Sequence, residues 1–246
     1  MPSGATPNYH QRYLRQIALP EVGPDGQERL AAATIAVAGD SDGDLAAEIA
    51  ARYLAAGGVG TLRLVGAGAA VGAEVLCASN PDVIVESVAW PDGHADADAS
   101  GAAWLAAIRG VDLVVRSGFD DDPMLRATVR LGVPVVLMRA LADRAEVLAV
   151  RRQGPCPHVD LAIPRRRSQG VLDGAAAVLA GTLGAAEALT LIVGRATTAG
   201  AAPARARHLV VPLVPAAEGG APRAQDIPWL PECFACGGGA SEMVFS

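Results

Sequence analysis

Residues 34–65 read TIAVAGDSDGDLAAEIAARYLAAGGVGTLRLV, and this stretch decides the fold. Thr34-Ile-Ala-Val-Ala38 is a short β-rich run that ends in Gly39. A polar stretch follows, and then 45–56 places its apolar residues at helical spacing. Gly57-Gly-Val-Gly60 is a helix stop, and Thr61-Leu-Arg-Leu-Val65 is a second strand. Strand, helix and strand in this order form a βαβ unit, the opening of a doubly wound sheet.

Further strands are predicted at 83–88, 111–115, 133–138 and 146–150, with helices at 101–109 and 123–131 between them. The alternation predicts an α/β protein: a doubly wound, mostly parallel, Rossmann-like sheet with helices on both faces. Residues 170–194 read as one long helix, buried despite Glu187. The segment 197–207 reads as an Ala/Pro-rich connector, 208–214 as a strand and 216–226 as a loose loop. The tail, 231–246, carries Cys233-Phe-Ala-Cys236 and predicts a small zinc-knuckle-like appendage.

Composition narrows the function classes. The 246 residues are 51% hydrophobic and rich in Ala and Gly, enough for one sizeable core. The net charge of −6 gives no electrostatic reason to bind nucleic acid or an anionic membrane. All 20 basic residues are arginine, so no step that needs a lysine can run on this chain alone. No apolar leader precedes the first strand, and the expected location is the cytoplasm. In that compartment four cysteines point to metal or chemistry before disulfides.

Five pieces in collinear order carry a resemblance. They are Arg12-Tyr-Leu-Arg-Gln-Ile-Ala-Leu-Pro-Glu-Val-Gly before the first strand and Tyr53-Leu-Ala-Ala-Gly-Gly-Val-Gly-Thr-Leu-Arg-Leu-Val after the first helix. Next come Asn80-Pro-Asp-Val, then Gly170-Val-Leu-Asp-Gly with Gly181-Thr-Leu-Gly-Ala-Ala-Glu-Ala-Leu, and last the tail Cys-x-x-Cys-Gly. Together they resemble the MoeB/ThiF/HesA (E1-like, ubiquitin-activating-type) superfamily, whose members bind ATP and adenylate the C-terminal glycine of a ubiquitin-like or sulfur-carrier protein, usually as dimers. The resemblance implies a single domain over 1–246: a helical entry (1–33), a nucleotide-fold core (34–150), and a crossover, late helix and Cys-x-x-Cys tail (151–246).

The nucleotide residues depart from that pattern and mark a degenerate member. A phosphate loop uses glycines for close backbone approach at a helix N-terminus. Here the loop is Gly39-Asp-Ser-Asp-Gly-Asp44: Gly39 fits the first glycine and Gly43 is one residue out of register. Asp40, Asp42 and Asp44 put negative charge where phosphates would sit. The alternative reading is a solvated turn that caps the next helix. The strand 61–65 runs into Gly66 with no acid for the ribose hydroxyls, and Gly66 reaches Asn80 so soon that most of the family's phosphate-contacting segment is missing. The magnesium-linked aspartate of the family falls on Phe119 in direct alignment, and on Asp120 with a one-residue shift. The run Asp120-Asp-Asp122 also suits a helix N-cap before Pro123. Ordinary binding of ATP and magnesium is therefore not expected.

Other family positions are kept. Arg15 stands where the family has an arginine that reaches a partner subunit's phosphates; a surface or dimer-face arginine is the alternative. Cys233 and Cys236 match half of the family's zinc site, with Cys156 and His158 as the upstream pair of a structural Cys₃His site. Arg165-Arg-Arg167 could meet an acidic carrier, or be a solvated charge run. Cys77 reads as buried filler.

Three functions compete. The first is a non-catalytic subunit or docking partner in a ubiquitin-like or sulfur-carrier pathway, dimerising with itself or with an active E1-like chain. The second is a divergent ATP-dependent adenylyltransferase that uses Asp120 and the arginines. The third is a nicotinamide or flavin enzyme, against which the broken glycine loop and missing ribose acid also count.

Overall fold

The computed structural model describes residues 8–39, 44–66, 69–91, 97–118, 123–151, 173–194, 206–213, 221–227, 232–233 and 238–239. Two helices, α1 (Tyr9–Ile17) and α2 (Gly23–Ala32), lead into β1 (Thr34–Ala38), α3 (Leu45–Ala56) and β2 (Thr61–Val65). Then come α4 (Ala69–Ser79), β3 (Ile84–Val88), α5 (Ala97–Ala107), β4 (Leu113–Ser117) and α6 (Pro123–Leu131). The chain continues through β5 (Val135–Ala140), β6 (Arg144–Val150), α7 (Asp173–Val193), β7 (Ala206–Pro212) and β8 (Arg223–Ile227). A short hairpin, β9 (Glu232–Cys233) with β10 (Gly238–Gly239), ends the described chain.

Eight strands form one sheet in the order β3-β2-β1-β4-β5-β6-β7-β8. The first five in that order are parallel, and β6, β7 and β8 add antiparallel. Alternation along β1 divides the core. Ile35 and Val37 face α3 and α7, with Leu54, Val115 and Ala188 in the same cluster. Ala36 and Ala38 face the other way, with Trp104, Ile108, Met124 and Leu137. Both faces of the sheet are therefore covered. The alanine-rich flank of α3 lets α7 come close, and a Cβ on Gly181 would press on Ile49 at 2.9 Å. Among the described residues only α7 is long and apolar enough to cross a membrane, and it lies mostly buried inside the molecule.

The β1–α3–β2 unit forms where the sequence predicts it. Asp44 caps α3: its carboxylate accepts from the Ala47 N–H at 3.0 Å. Three expectations need correction. Residues 223–227 form β8 instead of loop; the run Arg-Ala-Gln-Asp-Ile is a polar edge strand with little apolar alternation to announce it. The stretch between Gly66 and Asn80 is long enough to hold α4. Cys77, on that helix, is exposed. In addition, β4 starts two residues late, because Asp112 lends its carboxylate to the Thr34 N–H (3.0 Å) at the strand's entrance.

At the N-terminal end of the sheet a buried polar cluster fixes the helical entry. Asn80 Nδ2 donates to Tyr13 Oη (2.8 Å) and to the Ala55 carbonyl (2.6 Å), and Asn80 Oδ1 accepts from the Asp82 N–H (3.0 Å). Arg12 closes the cluster through an ion pair with Asp82 at 2.9 Å. Replacing Asn80 by alanine strands the buried Tyr13 hydroxyl, while the Ala55 carbonyl keeps the Gly58 N–H at 3.0 Å. The expected loss is about 2 kcal/mol, read as a lower urea midpoint at unchanged slope.

Candidate functional site

The sheet order reverses direction between β1 and β4, so a crevice opens beyond their carboxyl ends, where ligands of open α/β sheets bind. Three glycines mark its rim: Gly39 after β1, Gly66 after β2 and Gly118 after β4. The last two hold positive φ, +139° and +92°. Their N–H groups are committed to neighbouring strands, Gly66 to the Val88 carbonyl (3.1 Å) and Gly118 to the Met138 carbonyl (2.7 Å).

Arg116 sits inside this crevice. Alternation along β4 turns it to the same face as Val114, toward α5 and α6, and it is only 4% exposed. Its Nη1 donates to the Gly39 carbonyl (2.9 Å) and to the Ser117 carbonyl (2.6 Å). The guanidinium carbon lies 5.4 Å from the ring centre of Trp90, a cation–π distance. Trp90 in turn meets buried Trp104 edge to face, 4.9 Å between centroids at 89°. A side chain on Gly66 would touch Trp90 at 3.9 Å. The indole and the guanidinium thus lie across the ends of β2, β1 and β4.

A second charged group lies on the same face of the sheet, two residues further along β5. Arg139 opposes Glu146 across the β5–β6 pair, and Arg144 is two residues before Glu146 on β6. The Glu146 carboxylate accepts from both arginines, from Arg144 Nε at 2.6 Å and from Arg139. Burial alone would push this carboxyl up. The hydrogen bonds and charges of Arg144 and Arg139 outweigh burial and hold it below the usual carboxylate range. Glu187 on α7 is the opposite case: burial raises it, against the pull of Arg207 and Arg151.

The residues expected from sequence are scattered. Gly39 is at the crevice, and its carbonyl is taken by Arg116. Arg15 is exposed on α1, which packs at the opposite end of the sheet, so the two do not meet within one chain. Of Cys233 only the backbone, in β9, is described. Gly43, Asp120, Cys156, His158 and Cys236 lie outside the described residues. No cluster of metal-ligating side chains occurs among the described residues. The reading of sequence missed Arg116 and Trp90. The available signals were a lone arginine inside the apolar run of β4 and a tryptophan just past β3.

No family model matches the sequence, and no curated protein matches it. Solved structures do match. E. coli MccB with ATP superposes with a TM-score of 0.69 at 14% identity, over 96% of this chain and 75% of that one. The microcin C7 biosynthetic enzyme MccB in complex with N-formylated MccA gives 0.68 at 16%, over 96% and 77%. PaaA gives 0.65 at 14%, over 92% and 85%. At such identities the likeness speaks for architecture alone, the α/β fold that this chain shares with MccB and PaaA.

Proposed function

We propose that this chain is a non-adenylating E1-like protein. It acts as a partner subunit or docking platform for a ubiquitin-like or sulfur-carrier protein. The observation that carries this reading is Arg116. A buried guanidinium, hydrogen-bonded to the Gly39 carbonyl and at cation–π distance from Trp90, fills the crevice where an E1-like fold would seat a nucleotide. The end of β2 supports it, since Gly66 faces an indole where a ribose-binding acid would be needed. Asp44 supports it too, because its carboxylate is engaged as a helix cap.

On this reading Arg15 serves a partner's site and not its own, and the working form is a dimer with itself or with a competent E1-like chain. A structural zinc held by Cys156, His158, Cys233 and Cys236 belongs to the same proposal. The β9–β10 pairing supports it by placing Cys233 opposite Gly238, two residues past Cys236 in sequence.

Calorimetric titration with Mg-ATP is expected to give no binding heat at millimolar nucleotide, and pyrophosphate exchange is expected to be absent. Micromolar binding with exchange would overturn the proposal and put the divergent adenylyltransferase in its place, as the likeness to a protein crystallised with ATP would then suggest.

A further inference from the structure

We propose that a second copy of this chain docks on the outer face of α7 and the adjoining row of α3. This deepens the reading above that the working form is a dimer, rests on that part of it alone, and names the surface and its occupant.

A helix at the surface of a soluble domain normally turns charged residues to water. The outer side of α7 does not. Its two ionisable residues are Asp173, at the first position, and Glu187, which is buried and paired with Arg207 at 2.9 Å. Gly174, Val178, Thr182, Ala186 and Thr190 recur at every fourth residue along the outer side. Both threonine hydroxyls turn back onto the helix: Thr182 donates to the Val178 carbonyl and Thr190 to the Ala186 carbonyl, each at 2.8 Å. From 174 to 190 this side therefore offers water no charge.

Helix α3 widens the face. It runs beside α7, with Ile49 next to Gly181 and Gly57 next to Leu189. Leu45, Ile49 and Tyr53 form one row on that flank. Leu45 is 37% exposed, Tyr53 50% and Val178 42%, so the large apolar side chains of both helices meet water together.

Area and charge decide the occupant. A helix of 21 residues is roughly 30 Å long and two adjoining helices are roughly 20 Å across, so the face is on the order of 600 Å² per copy, enough for a small but stable dimer interface. Helices that lie on a bilayer carry Lys or Arg on their polar side, and α7 has no basic residue. A charged partner would find little to pair with, because Glu48 and Arg52 on α3 are already paired with each other. A second copy presents the same uncharged row. Two rows of four-residue spacing fit into one another's grooves at about 50° across a two-fold axis.

Sedimentation velocity on the full chain tests this. The wild type is expected to be a reversible dimer with a Kd on the order of 10 µM, given the modest area. Ala186→Glu and Ala186→Arg each bring like charges together across the axis, and each is expected to raise that Kd by about tenfold or more. An equal mixture of the two variants is expected to recover the dimer, as opposite charges then meet. Ala102→Glu, an exposed alanine on α5 at the other face of the sheet, is expected to dimerise like the wild type. Ala186 is exposed, so its variants should keep the wild-type urea midpoint. Should either fail to fold, Tyr53→Arg on α3 carries the test, with a Kd raised by about tenfold. A dimer that survives these charges overturns the proposal, as does a mixture no more dimeric than its components. In both cases the dimer reading stands and only this surface fails. A wild type still monomeric at about 100 µM, well above the expected Kd, overturns it too and leaves the face to a different chain. The absence of ATP binding is read separately by calorimetry and is untouched by any of these results.

Discussion

Replacing Gly60 by alanine is expected to cost about 3 kcal/mol of stability, the upper part of the range for overpacking a rigid site. Gly60 joins α2 to the first parallel pair. Its N–H donates to the Leu30 carbonyl at 3.0 Å, and its own carbonyl accepts from the Ile84 N–H at 2.8 Å. A Cβ there would overlap the Ala31 carbonyl, which is backbone and cannot rotate aside. The only relief is for α2 to withdraw from β2, which pulls Leu30, 2% exposed, out of the core and breaks the Leu30 hydrogen bond. For a chain of this size the loss corresponds to a melting point lower by roughly 6–12 °C. Gly101 on α5 is the control: a Cβ there meets nothing within 4 Å, so Gly101→Ala should be neutral or stabilising by up to about 1 kcal/mol. A Gly60 variant as stable as the control would mean that α2 is not held against β2 in solution.

How far the sequence discloses such a site depends on the range over which its physics acts. The β1–α3–β2 unit was legible because its signals are local: the apolar run 34–38, the Asp44 cap three residues before the N–H that donates to it, and the glycines that stop α3. Helix α7 was legible for the same reason. Strand β8 was not, because an edge strand need bury only one side, and its polar composition is also that of a loop. The crevice was legible only by what it lacks. Reading the glycine loop shows which nucleotide contacts are missing, and no local pattern says what fills the space. Arg116 meets Gly39 across 77 positions, and the Trp90 beside its guanidinium comes from the other side of the sheet order. Only the strand order brings them together. The Glu146 pairing was hidden in another way: period-two alternation places Glu146 on a face, but the hairpin register decides that Arg139 stands opposite it.

That hairpin yields the second large effect. Glu146→Gln keeps the shape of the side chain and removes its charge, leaving Arg139 and Arg144 around a neutral amide. Breaking a buried pair from one side typically costs about 3 kcal/mol or somewhat more, because the partner charge loses compensation; here Arg144 keeps its pair with Asp143 at 3.2 Å. Glu146 is 2% exposed, whereas solvent reaches part of Arg144, so the lower figure is the better expectation at neutral pH. The pH dependence identifies the cause. The folded-state carboxyl of Glu146 is held below its unfolded value, so its contribution is complete above the ordinary glutamate range and is lost as pH falls through the folded value. Wild type and variant should therefore differ most near neutrality and converge on acidification. Glu187 acts with the opposite sign, since burial raises it and its ionised form disfavours the fold. A wild-type profile alone mixes the two, but Glu187 is present in both proteins and cancels in the difference between urea-unfolding free energies. A difference that stays constant from pH 7 down to pH 3 would show that the charge on Glu146 is not what holds the β5–β6 hairpin, and that the shape of the side chain is.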